Sequence, residues 1–441
     1  MSKFDLNAFQ KTPPTYRIDL GLCLTGYICT MILKIETDKL KPGMYIVNTG
    51  LPWHSHPYVY SKEGNIESEL RVDILNREGF TEAFIDTEKG YFKFSQSKEN
   101  NPVSDIHPGF DFSELVGGKE VYPSHVIPLD IEIARAKTVY RDTLRYAKEF
   151  IDRAKEEKIA SVDQARPLVK ELLDSIMRNR DALVSFCKLQ SHDEYTYSHC
   201  VNVCVLSLAF GYFLGLDQEI LRNIGLAAMC HDLGKTTIPG DVLNKPSKLT
   251  EEEYGLIRKH PMAGYNMVRK AGADNVTLRG ILDHHEKMNG HGYPNGLANL
   301  RISVAGRIVG MADVYDALTS NRAYKMALSP MKAMSVMFSM RGQDFHVATL
   351  ERFIKCLGIY PVGSVVYLNT KEYGVVCESN PHQPLKPKVK VLLDSDMLPK
   401  TPNVVDLAAC DGRGKDAVSI IKTLDSPPEG IEIQSCLGAA L

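Results

Sequence analysis

Adjacent pairs of metal-binding side chains interrupt one long stretch of helical periodicity, and this feature limits the possible folds more than any other. Seven of the 13 histidines fall between His192 and His291, and several stand beside an aspartate or a second histidine. Neutral imidazole and carboxylate are good ligands for first-row transition metals, and adjacent pairs at helix ends can direct two ligands to one centre. The fold must therefore bring several helix ends together.

The helical pattern begins after Pro128, where apolar residues recur at helical spacing with charged residues between them. This stripe predicts a long amphipathic helix with an apolar face formed by Ile131, Ala134, Val139, Leu144, Ala147 and Ile151. Capping-box patterns at Ser161 and Thr250 predict two further helix starts. Because helical patterns continue to Leu318, we expect the middle of the chain to be all-α.

Short β-branched runs, separated by glycine and proline turns, lie on both sides of the helical region. The predicted fold class is multidomain, with a small α+β N-terminal domain, an all-α core and a short β-rich C-terminal appendage. The predicted segments are a leader over residues 1–30, a regulatory domain plus linker over 31–127, connecting helices over 128–185, a core domain over 186–358 and a C-terminal segment over 359–441. Met31 is left open as an alternative translational start to Met1.

Charge balance and cysteine usage restrict the partners and the location. With 52 basic and 54 acidic side chains, the formal net charge is -2, so no basic field favours a nucleic-acid polymer or an anionic membrane. The apolar segment over residues 20–33 is shorter than the about 20 residues needed to span a bilayer, which predicts no membrane insertion. The ten cysteines lack paired zinc-site spacing and favour a reducing, cytoplasmic location.

The candidate metal ligands are imidazoles and carboxylates of the helical region. They are His199, His231, Asp232, His260, His284, His285 and Asp313. This set is larger than one ion needs, whereas two neighbouring ions sharing one carboxylate would use all of it. Asp232 is the candidate for the shared ligand.

Two motifs carry a resemblance to a known family. Residues 231–235 read HDLGK, and residues 284–294 read HHEKMNGHGYP. In this order they resemble the HDxGK and HHExxxGxGYP elements of HD-GYP domains, and the resemblance covers residues 186–361. Residues 31–86 also resemble a small domain often found ahead of such cores. The resemblance implies an all-helical core that uses iron or manganese ions to hydrolyse cyclic di-GMP to linear pGpG, and often on to GMP, by attack of a metal-bridging hydroxide.

The resemblance also implies roles for cationic residues. Lys235 lies three residues after Asp232 and is expected to act with it in catalysis by neutralising charge that develops on the phosphate. Arg322 and Lys325 are expected to bind the substrate phosphates, since arginine suits a bidentate contact and lysine adds a second charge. Solvated surface positions are the alternative for all three cations.

The loop that contains Gly292, Tyr293 and Pro294 is expected to shape the substrate pocket and to contact the substrate. The same loop is a candidate docking point for partner signalling domains. A purely turn-forming role is left open.

One departure from the family pattern concerns the number of metal ions. Family members with a third ion carry a glutamate four residues before the first histidine ligand, whereas this chain has Tyr195 there and Glu194 one place away. A shift of one residue turns a helical side chain by about 100°. We therefore expect two divalent ions, iron or manganese, and the linear dinucleotide as the main product.

Three alternatives remain open at this stage. Nothing in the motifs names the base, so another cyclic dinucleotide such as 3′,3′-cGAMP is a second candidate substrate. The non-enzyme alternative is a catalytically weak cyclic di-GMP receptor that signals through protein contacts. The helix after Pro128 could also pair with a second copy of the chain to form a homodimer.

Overall fold

The computed structural model describes residues 32–49, 59–78, 80–90, 127–157, 160–187, 195–245, 247, 249–320, 327–380, 383–409, 418–425 and 427–428. These residues form two compact units, one over 32–48 and 59–90 and the other from residue 127 onward. The predicted leader over residues 1–30 lies outside the described residues, as do residues 91–126 of the predicted regulatory domain plus linker.

The first unit is a small α+β fold around one long strand. Its strands are β1 (Ile32–Glu36), β2 (Met44–Ile46), β3 (Val59–Tyr60), β4 (Gly64–Asn65) and β5 (Glu82–Gly90), and helix α1 (Glu69–Arg77) follows β4. The central strand β5 pairs antiparallel with β1 and β2 and parallel with β3. Val72 and Leu75 of α1 are buried, as are Ala83, Phe84 and Ile85 of β5, which gives this unit an apolar core of its own.

The second unit begins with a helical region. Its helices are α2 (Leu129–Glu157), α3 (Ala165–Phe186), α4 (Tyr195–Phe213), α5 (Gln218–Cys230), α6 (Gly240–Leu243), α7 (Glu251–Ile257), α8 (His260–Arg269), α9 (Asn275–Asp283), α10 (Val304–Thr319), α11 (Pro330–Ser339) and α12 (Val347–Leu357). The described residues of α4 and α10 are almost all buried, because other helices surround both. These two helices therefore form the centre on which the site is built.

Helix α2 exists as predicted, but its buried face was predicted wrongly. The residues that pack inward at alternating spacings of four and three are Ala136, Tyr140, Thr143, Ala147, Phe150 and Ala154. Of the predicted stripe only Ala147 is buried, and Ile131 is 63% exposed. Packing against α3 and α4 determines which of the two stripes on α2 is buried. The stripe that packs inward contains small residues, which allow these helices to approach α2 closely.

The two predicted capping boxes have different outcomes. Thr250 accepts a hydrogen bond from the Glu253 backbone N–H, and the Glu253 carboxylate accepts one from the Thr250 backbone N–H, so this box is confirmed. The box at Ser161 is not formed: α3 begins at Ala165, after a short turn in which the Ser161 hydroxyl accepts from the Asp163 backbone N–H.

The second unit ends in a five-stranded antiparallel sheet. Its strands are β6 (Val365–Leu368), β7 (Tyr373–Glu378), β8 (Lys388–Leu393), β9 (Pro399–Asp406) and β10 (Ile420–Leu424), in the order β10-β6-β7-β8-β9. Its own core contains Val366, Leu368, Val376, Val389, Val391 and Leu407. The predicted multidomain class, with an all-α core between a mixed N-terminal part and a β-rich C-terminal part, is confirmed.

A buried polar network joins this sheet to the helical region. Asn179 has φ -157° and ψ 103°, which interrupts α3 one residue before Arg180. The guanidinium of Arg180, only 1% exposed, donates to the Asp181 carboxylate and to the Ser379 hydroxyl. The other Asp181 oxygen accepts from the Ser379 backbone N–H at 2.7 Å and from its hydroxyl at 2.8 Å. Both members of the charge pair are thus hydrogen-bonded, as burial requires.

Within the described part of the chain, no helix combines the length and the apolar character that crossing a bilayer requires.

Candidate metal centre

Three of the candidate histidines lie just after the last turn of a helix, and this position orients their rings. His231, His260 and His284 follow α5, α7 and α9, and the Nδ1 atom of each lies 2.7 Å from the carbonyl oxygen three residues earlier, that of Ala228, Ile257 and Ile281 respectively. The carbonyls of a last helical turn lack intrahelical partners, so each can accept an N–H from the ring. This hydrogen bond leaves Nε2 as the atom available for a metal ion.

His199 is held differently because it lies inside α4, one turn after its start, where the preceding carbonyls are used by the helix itself. Its Nδ1 atom lies 2.7 Å from an Asp316 oxygen on α10. Sequence reasoning did not assign Asp316 a role. The signal was available in its position three residues beyond Asp313, one helical turn along the same helix.

The seven candidate ligands converge into two groups. One contains Asp232, His260, His284 and His285, and the other contains His199, His231 and Asp313. Within each group the potential ligand atoms lie within 4.8 Å of one another, and every member is buried. The arrangement is therefore that of two adjacent sites rather than of scattered core histidines.

Asp232 lies between the two groups. Its Oδ1 is 3.5 Å from His260 Nε2 in the first group, while its Oδ2 is 3.5 Å from His231 Nε2 and 3.7 Å from His199 Nε2 in the second. Asp313 also faces both groups, with Oδ1 3.1 Å from His199 Nε2 and Oδ2 3.9 Å from His285 Nδ1. Each carboxylate thus presents one oxygen to each group.

The polar atoms of this centre fit divalent metal ions. Among the described residues, His231 Nε2 and Asp232 Oδ1 are buried and have no hydrogen-bond partner. A buried polar atom left without a partner costs about 1–3 kcal/mol, so such atoms call for an explanation. Imidazole nitrogens and carboxylate oxygens suit iron, manganese and similar divalent ions, and coordination would satisfy both atoms.

Burial and mutual charge shape the protonation of the ligands. Burial lowers the pKa of His284 to about 4 and, with the nearby Lys235 charge, keeps the pKa of His260 well below its usual value. Burial acts in the same direction on His199, but hydrogen bonds to Asp313 and Asp316 outweigh it and raise its pKa to about 9. Neutral imidazoles are the form that binds metal.

The two carboxylates are held ionised. Burial raises the pKa of Asp232, but Lys235 and His231 outweigh it and keep that pKa well below the usual value. For Asp313, burial is likewise outweighed by the hydrogen bond from His199, so its pKa is also lowered. Negatively charged oxygens therefore lie at the centre of the candidate ligand set.

Lys235 extends from the short 3-10 helix after the His231-Asp232 pair, and its Nζ lies 2.6 Å from Asp232 Oδ2. Its side chain is 18% exposed, so the ammonium can reach both the carboxylate and solvent. The neighbouring Gly234 packs against the start of α8, because a Cβ here would overlap the His260 carbonyl and the Gly264 backbone nitrogen. The glycine of the HDLGK motif thus allows the 3-10 turn to approach His260.

The loop after His285 is held by Glu286, another residue to which the sequence reasoning assigned no role. Its two carboxylate oxygens accept hydrogen bonds from the Asn295 and Leu297 backbone N–H groups, each at 2.7 Å. A Cβ at Gly292 would overlap the backbone of residues 285–287, so this position requires glycine. Glu286 and Gly292 together fold the loop back onto His285.

Tyr293 and Pro294 follow in this loop, joined by a cis peptide bond. Tyr293 is 3% exposed, its ring centroid lies 4.7 Å from that of His285, and the Arg258 guanidinium carbon lies 5.6 Å from the same Tyr293 centroid. Tyr293 therefore packs behind a candidate ligand. A substrate or partner contact by Gly292, Tyr293 or Pro294 stays a prediction.

Other predicted features fall outside the described residues. Arg322 and Lys325 belong to residues 321–326, which the structure does not describe, and Glu194 lies in a second such segment. The side chain of Tyr195 is likewise not described. Their predicted roles, including the inference of two ions from Tyr195, stay predictions.

Comparison with known proteins finds three family models along the chain. A domain of unknown function matches residues 32–165, an HD domain matches residues 186–347, and a KOW domain associated with HD domain matches residues 365–411. The HD domain match spans the interval from His199 to Asp313 that contains every candidate ligand.

Several curated proteins are similar in sequence. The cyclic di-GMP phosphodiesterase PA4108 of Pseudomonas aeruginosa is 32% identical over 394 residues, which cover 86% of this chain and 89% of that protein. The cyclic di-GMP phosphodiesterase response regulator RpfG of Xanthomonas campestris is 40% identical over 146 residues, 32% of this chain and 38% of that protein. The 3'3'-cGAMP-specific phosphodiesterase 1 of Vibrio cholerae is 32% identical over 149 residues, 34% of this chain and 35% of that protein.

Proposed function

This chain belongs to the family of HD-domain cyclic di-GMP phosphodiesterases, and from that premise we propose that it hydrolyses cyclic di-GMP to linear pGpG with the help of two divalent ions. The observation that carries the proposal is the pair of buried ligand groups with Asp232 between them. Two divalent ions held by these two groups would be suited to promote an in-line displacement at phosphorus.

The proposed ion ligands are the seven residues of the two groups, with Asp232 shared. When bound, divalent ions supply an activated water and neutralise charge on the phosphate. The carboxylates of Asp232 and Asp313, kept ionised, and the neutral imidazoles of His260 and His284 form the donor set that holds them. Iron and manganese are the ions we propose.

Lys235 acts beside Asp232. In hydrolysis of the ring one P–O bond forms from water and the P–O3′ bond breaks, which leaves a 5′-phosphate and a 3′-hydroxyl on a linear dinucleotide. Negative charge increases on the phosphate oxygens and on O3′ during this step. The Lys235 ammonium, which lies 2.6 Å from Asp232 Oδ2 on a partly exposed side chain, would stabilise that charge.

Other parts of the proposal come from the family resemblance. We propose that Arg322 and Lys325 bind the two phosphates and that the loop with Gly292, Tyr293 and Pro294 borders the substrate. Docking of partner signalling domains on this loop is proposed on the same basis. A cytoplasmic location is proposed from the cysteine usage, and a homodimer from the helix after Pro128. Linear pGpG, rather than GMP, is the proposed main product, because Tyr195 replaces the glutamate of three-ion members.

The test uses the full chain purified without oxygen and loaded with Mn²⁺ or Fe²⁺. Incubation with cyclic di-GMP, followed by chromatographic separation of nucleotides, should show pGpG as the main product, and metal analysis should find two ions per chain. Asp232→Ala should lose turnover and ion binding together. Absence of turnover under reducing conditions would contradict the proposed activity, and three tightly held ions would contradict the two-ion site.

A second substrate has a specific observation in its favour, because two similar proteins are named 3'3'-cGAMP-specific phosphodiesterases. Competition between cyclic di-GMP and 3′,3′-cGAMP for the same loaded enzyme distinguishes the two. A higher kcat/KM for the mixed ring would replace cyclic di-GMP as the preferred substrate and would leave the two-ion mechanism unchanged.

A further inference from the structure

A chain of buried hydrogen bonds runs from helix α2 to the candidate ligand His199. The Tyr140 hydroxyl donates to Asn202 Oδ1 at 2.6 Å, Asn202 Nδ2 donates to Asp316 Oδ1 at 2.9 Å, and Asp316 Oδ2 lies 2.7 Å from His199 Nδ1. All four side chains are at most 4% exposed. Helices α2, α4 and α10 contribute Tyr140, Asn202 and Asp316 respectively.

The direction of each hydrogen bond in this chain is determined by its neighbours. Asn202 Nδ2 also donates to the Cys187 carbonyl at 3.0 Å. If the amide were reversed, its oxygen would face both that carbonyl and the Asp316 carboxylate, and all three atoms would be acceptors. The amide therefore has one orientation, in which Oδ1 accepts from Tyr140 and Nδ2 directs two hydrogens at its acceptors.

Asp316 performs for His199 the task that backbone carbonyls perform for three other candidate ligands. His231, His260 and His284 each have a last-turn carbonyl 2.7 Å from Nδ1. His199 lies inside α4, where the preceding carbonyls are used by the helix, so a side chain from another helix supplies the acceptor. A side chain can rotate, whereas a carbonyl of the same helix cannot, and the orientation of Asp316 therefore needs its own support.

We propose that Asp316, Asn202 and Tyr140 are positioning residues that orient His199 for its metal ion, so that affinity at this ion site depends on a hydroxyl of helix α2. Asp316 accepts the Nδ1 hydrogen and directs Nε2 toward Asp313 and Asp232. Asn202 holds Asp316 through its other oxygen, and Tyr140 holds Asn202. Outer hydrogen bonds of this kind change metal affinity by roughly 10- to 100-fold.

Tyr140 lies at the end of this series of hydrogen bonds that is farthest from His199, and it is well suited to an experimental test. Its ring stacks on Phe186, with centroids 5.6 Å apart, so Tyr140→Phe keeps the packing and removes only the hydroxyl. Helix α2 also offers a matched control in Tyr146, whose ring stacks on Phe150 and whose buried hydroxyl has no hydrogen-bond partner among the described residues. Tyr146→Phe makes the same chemical change on the same helix outside the chain of hydrogen bonds.

The proposal rests on the proposed metal role of His199, and the experiment separates the two. Mn²⁺ is titrated into the metal-free full chain, and the dissociation constants of the two ions are measured for the wild type and for each variant. Asp316→Asn should weaken one ion by roughly 10- to 100-fold and leave the other nearly unchanged. Tyr140→Phe should weaken the same ion by a smaller factor, and Tyr146→Phe should change neither.

The Tyr140→Phe/Asp316→Asn double variant tests whether the residues act in series. If Tyr140 acts through Asp316, adding Tyr140→Phe to Asp316→Asn should lower the affinity little further. Thermal denaturation of the metal-free proteins is recorded in parallel. If Asp316→Asn does not fold, Tyr140→Phe and its control are sufficient for the test.

The outcomes are distinguishable. A wild type that binds no Mn²⁺ would overturn the proposed metal site and with it this inference. A wild type with two ions and a Tyr140→Phe variant with the same two constants would overturn the positioning role alone. A lower thermal midpoint with unchanged ion affinity would likewise overturn it, because a network that only stabilises the fold gives that result.

Discussion

Gly234→Ala should destabilise the helical region and weaken metal binding together. The added Cβ would meet the His260 carbonyl oxygen and the Gly264 backbone nitrogen at separations that real Cβ atoms essentially never show. Both are backbone atoms, so no side-chain rotation can relieve the overlap, and the 3-10 helix and the start of α8 must move apart. Overpacking lowers the free energy of unfolding by about 1–3 kcal/mol, and we expect a decrease near the upper end of this range, about 3 kcal/mol.

Moving the 3-10 helix away from the start of α8 should also displace the candidate metal ligands, because Asp232 precedes this 3-10 helix and His260 begins α8. At about 2–4 °C per kcal/mol for a unit of this size, the thermal midpoint should fall by roughly 6–12 °C. The assay is thermal denaturation of the metal-free chain, followed by Mn²⁺ titration at a temperature where the variant is folded. We expect weaker binding of the ion held by Asp232 and His260.

Gly255→Ala is the matched control. Gly255 lies inside α7, and apart from its chain neighbours and the backbone of its own helix a Cβ there would have no heavy atom within 4 Å. Alanine in an open helical position is more favourable than glycine by about 0.5–1 kcal/mol, so the control should raise the midpoint slightly. A Gly234→Ala variant that matched the wild type in both midpoint and ion affinity would refute the argument from close packing.

Three further results are expected. Lys235→Ala should lower kcat for cyclic di-GMP by about 10²- to 10³-fold, as loss of a transition-state charge contact does. Metal analysis of this variant should still find two ions, because removing a cation beside Asp232 does not weaken the binding of divalent ions. Asp181→Ala should lower the free energy of unfolding, measured by chemical denaturation, by about 3–5 kcal/mol, since it leaves the buried Arg180 charge without its carboxylate. An unchanged denaturation midpoint would contradict the stabilising role of that pair. Thr250→Ala should cost about 1 kcal/mol by removing the capping box, and equal stability to the wild type would exclude that contribution.

The fold class and the gathering of the ligands followed from local pattern. Helical periodicity after Pro128 and β-branched runs at both ends are short-range signals, because each can be recognised from the residues of one element. The pairs at 231–232 and 284–285 were informative because their chemistry is unusual for a helical core. The structure places all seven candidate ligands in two adjacent buried groups.

What local pattern did not predict depends on partners distant in sequence. The buried face of α2 is decided by α3 and α4, so Tyr140 rather than Ile131 points inward. Asp316 and Asn202 are separated by 114 residues and meet only when α4 and α10 pack. Such contacts become visible only in three dimensions. The capping box at Ser161 failed for a local reason instead, because the Ser161 hydroxyl accepts from the Asp163 backbone N–H in a short turn and α3 starts at Ala165.

The histidines that follow helix ends have a consequence for how an ion is captured. Because last-turn carbonyls hold the rings of His231, His260 and His284, three candidate ligand nitrogens are oriented by local backbone geometry without a bound ion. Little rotamer entropy remains to be lost on binding, and side-chain ordering otherwise costs of order 1 kcal/mol for each group. The centre is thus preorganised by short segments of helix, a way of building a binding site that a designer could transfer to other helical scaffolds.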